Sequence, residues 1–117
     1  MKLKEILQNY AANSTSVKKI EEKYSAKLPL EAIKILSVSD ESTSLNDKSI
    51  FRILSLGEIL DASDDMAVDF ISKGLIPIID VGDNDYISLD YNNQKWCLFN
   101  IADEIIFDTK DSVEDFV

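Results

Sequence analysis

The apolar residues of this chain change period partway along it, and that switch limits the architectures open to it. Leu3, Ile6, Leu7 and Tyr10 recur at helical spacing and predict a short opening helix. Asn13-Ser14-Thr15-Ser16 offers N-caps for a second helix that carries Val17, Ile20 and Tyr24 on one stripe. Leu28-Pro29 marks a break. Pro29 suits the first turn of a third helix, whose Leu30, Ile33 and Leu36 face inward. Residues 37–49, rich in Ser, Asp and Asn, read as a loop. Residues 50–54 are the first strand and 56–60 a short helical turn. Ser63 then caps a helix with Met66, Val68, Phe70 and Ile71 as its apolar positions, ended by Gly74.

From Leu75 onward the pattern is that of strands. Residues 75–80 are β-rich, and Pro77 among them argues for a sheet edge or the start of a strand. Residues 81–85 make a turn, 86–90 return as a strand, and 91–94 turn again into 96–99. Residues 104–107 form a further strand. Ser112, with Asp115 three positions on, makes a capping box for a last helical turn holding Val113, Phe116 and Val117. Helices followed by a meander predict an α+β fold, N-terminal helices packed on a mostly antiparallel sheet. A length of 117 residues, 45% of them hydrophobic, fits a single domain over residues 1–117. A chain of this size buries roughly 65% of its unfolded surface without covalent staples.

Charge is distributed unevenly. Residues 58–117 hold 15 Asp or Glu against three Lys, a net of −12, whereas residues 1–57 hold seven acids and nine bases, a net of +2. Such a field repels nucleic acid and anionic membrane and steers basic partners toward the surface. Solubility accounts for the excess as well as a docking surface for a basic protein does. The N-terminal MKLKEILQNY lacks the apolar core of a signal peptide, and no apolar run approaches the roughly 18 residues of a membrane span. Cytoplasm is the expected compartment. Cys97 stands alone within an apolar run, which excludes an internal disulfide and predicts a buried thiol.

The residue inventory narrows the chemistry. Histidine is absent, which removes imidazole general-base catalysis, Ser-His-Asp and Cys-His arrangements, and the common zinc sites. Asp80, Asp83 and Asp85 miss the calcium-loop spacing, since the sixth position from Asp80 is Asp85 rather than glycine and the twelfth is Tyr91. No glycine-rich phosphate loop is present, and Tyr86, Tyr91, Trp96 and Phe99 sit among acids rather than in the basic surround that stacking on nucleic acid needs. The reading is therefore a non-enzymatic protein with no cofactor and no metal. Its candidate partner-binding residues are Asp61, Asp64, Asp65, Asp69, Asp83, Asp85, Asp103, Glu104 and Asp108. Asp64 and Asp65 also suit the first turn of the Ser63 helix, worth up to about 1 kcal/mol each. Asp61 and Asp69 have no such local role, and the remaining five fall at turns or strand ends.

Three stretches, in order, resemble the SUKH superfamily, which includes bacterial immunity proteins and a yeast regulator of cell-wall synthesis. Glu21-Glu22-Lys23-Tyr24-Ser25-Ala26-Lys27-Leu28-Pro29 is similar to the family's opening helix, its tyrosine-containing turn and the Leu-Pro before the next helix. Leu75-Ile76-Pro77-Ile78 with Gly82-Asp83-Asn84-Asp85-Tyr86-Ile87-Ser88-Leu89-Asp90 resembles its strand, acidic turn and strand ending in Leu-Asp. Asp111-Ser112-Val113-Glu114-Asp115-Phe116-Val117 resembles its closing helix. The chain departs from the pattern at Ser25, at Ser39-Asp40-Glu41 and at Tyr91-Asn92-Asn93-Gln94, where the family's glycines are missing.

The resemblance implies helices on a mostly antiparallel sheet and, most often, an immunity protein that blocks a toxin, many such toxins being nucleases. It brings no catalytic residues with it. The expected partner is thus a basic protein, a toxin domain, and neither nucleic acid nor membrane. The alternative is an intracellular regulatory or scaffold module without a toxin. The sequence leaves the oligomeric state open.

Overall fold

A computed structural model describes residues 14–36, 43–44 and 52–116. Two helices, α1 (Ser14–Tyr24) and α2 (Leu30–Leu36), precede a pair of two-residue strands, β1 (Thr43–Ser44) and β2 (Arg52–Ile53). Three short helices follow, α3 (Leu56–Leu60), α4 (Ala62–Met66) and α5 (Phe70–Lys73), and then four long strands: β3 (Leu75–Gly82), β4 (Asp85–Asp90), β5 (Lys95–Asn100) and β6 (Ile105–Lys110). A 3-10 turn, Val113–Phe116, closes the described chain. All six strands form one antiparallel sheet in sequence order, β1 to β6, so the α+β arrangement read from the sequence is the one found.

The stripe of α1 is as expected: Val17, Ile20 and Tyr24 are all buried. The Tyr24 hydroxyl donates to the Ile59 carbonyl at 2.7 Å, satisfying an acceptor at the C-terminal end of α3 that has no intrahelical partner. In α2 the inward residues are Ala32, Ile35 and Leu36, whereas Leu30 is 57% exposed. The helix begins one residue later than Pro29, whose carbonyl accepts from the Ile33 amide at 3.1 Å, and its buried stripe runs through Ala32, Ile35 and Leu36, which leaves Leu30 on the solvent side. At α3, Ser55 and Glu58 form a reciprocal capping box.

Several expectations are corrected. The opening helix and residues 50–51 lie outside the described residues. Within the presumed loop 37–49, Thr43 and Ser44 pair with β2, and the remainder lies outside the described residues. The Ser63 helix is two helices, because Ala67 adopts the left-handed conformation (φ 55°) and stops α4. Asp61, not Ser63, stands at the N-cap of α4, and Asp69 caps α5 by accepting from the Ser72 amide at 3.1 Å. Asp69 therefore has a local role that the sequence did not reveal. Gly74 ends α5 at φ 71°, as expected; a Cβ there would also collide with the Asn92 side chain.

Pro77 lies in an interior strand, not at an edge. It is tolerated because β2 reaches only Ile79 and Asp80, and because the β3–β4 register shifts between Pro77 and Ile79. At the C-terminus the capping partner is Glu31 of α2, which accepts from the Ser112 hydroxyl at 2.9 Å and from the Val113 amide, rather than Asp115. Asp108 falls inside β6 opposite Leu98, not at a strand end.

Leu75, Ile76, Pro77, Ile78 and Ile79 are all buried, so the middle of the sheet is covered on both faces. Leu89, Trp96, Cys97 and Phe99 continue this core, and the Phe70 ring of α5 meets Phe99 edge-on at 5.9 Å. The β3–β4 hairpin turns on Asp83 and Asn84, both at positive φ (55° and 66°), a two-residue turn whose twist matches that of the strands.

Ser25 takes φ 51° just beyond α1, where the Ala26 amide reaches back to the Glu21 carbonyl at 3.0 Å. This is the position where the SUKH pattern carries glycine, and serine bears the left-handed conformation at a cost of about 1 kcal/mol. Ser25→Gly is expected to raise stability in urea denaturation by about 0.5–1 kcal/mol after the entropy of glycine is offset. A loss of stability would contradict this.

Candidate protein-docking surface

The acids divide into those that hold the fold and those that do not. Arg52, the one arginine of the chain, is bidentate to Glu58 at 2.8 and 3.0 Å and lies 3.5 Å from Asp80. It ties β2, α3 and β3 together. The Arg52 hydrogen bonds, opposed by partial burial and helped by the Ser55 cap, hold the Glu58 carboxyl down at about 2. Across the sheet, register places Arg52, Asp80, Tyr86, Phe99 and Ile106 in one row. Burial and then the nearby Asp80 carboxylate push the Tyr86 phenol up.

Of the nine candidate residues, Asp83, Asp85, Asp103 and Glu104 are brought together at one end of the sheet, around Asn100. The Asn100 side chain donates to Asp85 Oδ1 at 2.8 Å and accepts from the Asp103 amide at 2.9 Å, and the Ile101 amide donates to the Asn84 carbonyl at 2.9 Å. The β3–β4 and β5–β6 turns are thereby locked side by side. Asp61, Asp64, Asp65 and Asp69 occupy the separate α3–α5 segment. A Lys73–Glu104 ion pair at 3.1 Å joins α5 to the β5–β6 turn.

Side-chain partners separate the nine further. Glu104 pairs with Lys73, Asp85 with Asn100, and Asp69 with the Ser72 amide. Asp108 lies 3.4 Å from Lys110 Nζ and accepts from the Thr109 amide at 2.9 Å. Asp61, Asp64, Asp65, Asp83 and Asp103 are exposed, and their carboxylates have no partner among the described residues. All three lysines of the acidic half are engaged within the chain, Lys95 with Asp111. Its negative potential is therefore not hidden by loose cations.

Next to this acidic end lies a feature the sequence reading passed over. Among the described residues β6 is bonded to β5 on one side only, and Ile105, Ile106 and Phe107 on it are 47%, 49% and 60% exposed. Ile106 stands opposite buried Phe99 and Ile105 opposite Asn100, so the two lie on opposite faces. Phe107 is the extra residue of a bulge, since Phe99 pairs with Ile106 and Leu98 with Asp108. The available signal was three apolar residues in succession on the last strand, without the alternation of a strand with one buried face. The edge is apolar at its centre and flanked by Asp103, Glu104 and Asp108.

A family model described as SMI1 / KNR4 family (SUKH-1) matches residues 11–117. The chain belongs to this family. The match spans all three stretches in which the resemblance was seen, and the SUKH family includes immunity proteins. No curated protein and no solved structure gives a significant match.

Cys97 is buried, and burial, reinforced by Asp90, pushes its thiol up to about 12, so it stays protonated. Among the described residues no three Cys, Asp or Glu side chains group to hold a metal ion, and no helix is long and apolar enough to cross a membrane.

The Arg52–Glu58 pair makes stability pH-dependent. With the folded carboxyl near 2 against an ordinary 4.5, its contribution is complete above about 4.5 and is lost as pH falls toward 2. The side chains are 34% and 38% exposed, so screening holds the pair to about 1 kcal/mol. Glu58→Gln is expected to lose that amount at neutral pH in urea titrations and to narrow its deficit as pH falls through this window. A deficit unchanged with pH would contradict the assignment.

Proposed function

We propose that this SUKH-family chain is an immunity protein that binds and neutralises a cognate bacterial toxin, a nuclease, through its acidic surface in the cytoplasm. The observation that carries the reading is the charge of its second half, a net of −12 with each of its three lysines already paired. A nuclease must hold phosphates and so presents a basic active face. An acidic protein can cover that face and, by long-range attraction, reach it faster than neutral diffusion allows. Asp61, Asp64, Asp65, Asp83 and Asp103 supply unpaired carboxylates for this, and Asp69, Asp85, Glu104 and Asp108 add charge from positions where they also serve the fold.

The test is titration of the purified chain into a nuclease assay of any toxin domain encoded beside its gene. Activity should fall to zero at an equimolar ratio. Replacing Asp61, Asp64, Asp65, Asp83 and Asp103 together by Asn keeps the helix starts and the left-handed Asp83 position supplied with a suitable residue. That variant should fold normally and associate about tenfold or more slowly at low salt. Full nuclease activity in the presence of excess wild-type chain would refute the immunity reading. Unchanged association of the variant would place the interface away from these residues.

A further inference from the structure

The β6 edge joins two properties. It is six residues long with three exposed apolar side chains, which makes it a template for pairing with another strand. It is also guarded by charge: the Asp108 carboxylate holds the Thr109 amide at 2.9 Å while lying 3.4 Å from Lys110 Nζ, and Asp103 and Glu104 stand at the start of the strand. A side chain thus occupies an amide that an incoming strand would use.

We propose that β6 is a docking edge for an extended, basic segment of the partner protein, which adds to the sheet beside β6 with Asp108 as the gate. Main-chain pairing along Ile105–Lys110 would supply the geometry, and burial of Ile105, Ile106 and Phe107 the apolar contribution. A lysine or arginine on the incoming strand opposite Asp108 offers its carboxylate a new partner, releasing the Thr109 amide to the added strand. A neutral or acidic strand offers no such exchange. Charge also argues against a second copy as the occupant, because two chains of formal net charge −10 repel, and β6-to-β6 pairing would crowd Asp103, Glu104 and Asp108 of one copy against the same strand of the other. The cationic character of the occupant rests on the same charge reading as the proposed function, but the edge itself does not.

The experiment uses the intact chain and a synthetic peptide alternating lysine with valine, against the same peptide N-methylated at alternate backbone amides and an alternating glutamate–valine peptide. Amide hydrogen exchange and NMR shifts are followed. The expected result is protection of the β6 amides, that of Thr109 included, by the lysine peptide, weakening about tenfold or more on N-methylation and absent with the glutamate peptide. Equal binding by the N-methylated peptide would mean attraction by charge alone and would overturn the proposal, as would protection centred away from β6. Protection of β6 that rises with protein concentration in the absence of peptide would replace the partner strand with a second copy. Phe107→Lys, at an exposed bulge where the fold is little disturbed, links the edge to the toxin. Toxin neutralised equally by wild type and Phe107→Lys would sink the edge while sparing the immunity reading. A toxin left uninhibited by wild type, with lysine-peptide protection of β6 intact, would do the reverse.

Discussion

The rest of this structure depends on the burial of β3 on both faces. Leu75, Ile76, Ile78 and Ile79 follow one another into the core, each contributing roughly 1.5–3 kcal/mol relative to exposure. Such a strand must have neighbours on either side and cover above and below. The β2 and β4 strands pair with it, and the apolar residues of the helices, Ile20, Tyr24, Ile35, Ile59 and Phe70 among them, join it in one core. That core leaves no place for uncompensated charge: Ser88 is the one buried polar residue among the described residues. The candidate acids accordingly lie at helix starts, at turns or their flanks, and on the last strand.

Sheet order then decides where a second molecule can be met. Each strand pairs with its neighbours in sequence, so the meander ends on β6, with no strand beyond it among the described residues. Antiparallel reversal brings the β3–β4 and β5–β6 turns to the same end, and Asn100 binds them together. Charge at that end and apolar surface along the adjoining edge are separate consequences of one topology. Their proximity is what gives a SUKH-family chain a surface with an apolar centre and an acidic border.

Much of this was legible in the residues themselves. The stripe Val17, Ile20 and Tyr24, the left-handed stop at Gly74 and the hairpin at Asp83-Asn84 each follow from local chemistry, and each is found. What escaped was decided by tertiary contacts. Ala67 bends left-handed where propensity continues a helix, Pro77 is excused from an edge by the shortness of β2, and Glu31 caps a turn more than 80 residues away in sequence. The acidic residues were identifiable as a group from their count alone. Which carboxylates are unpaired depends on where Lys73, Lys95, Lys110 and Arg52 fall, and no sequence pattern states that.

On the proposed function, the exposed acidic field rather than the apolar edge sets how fast this chain meets its partner. Stopped-flow association of the chain with any toxin domain encoded beside its gene, repeated over a range of ionic strength, separates the two. The association rate should fall by about tenfold or more as salt rises, with the dissociation rate changing far less. An association rate indifferent to salt would contradict it and reduce the acidic half to a feature of solubility.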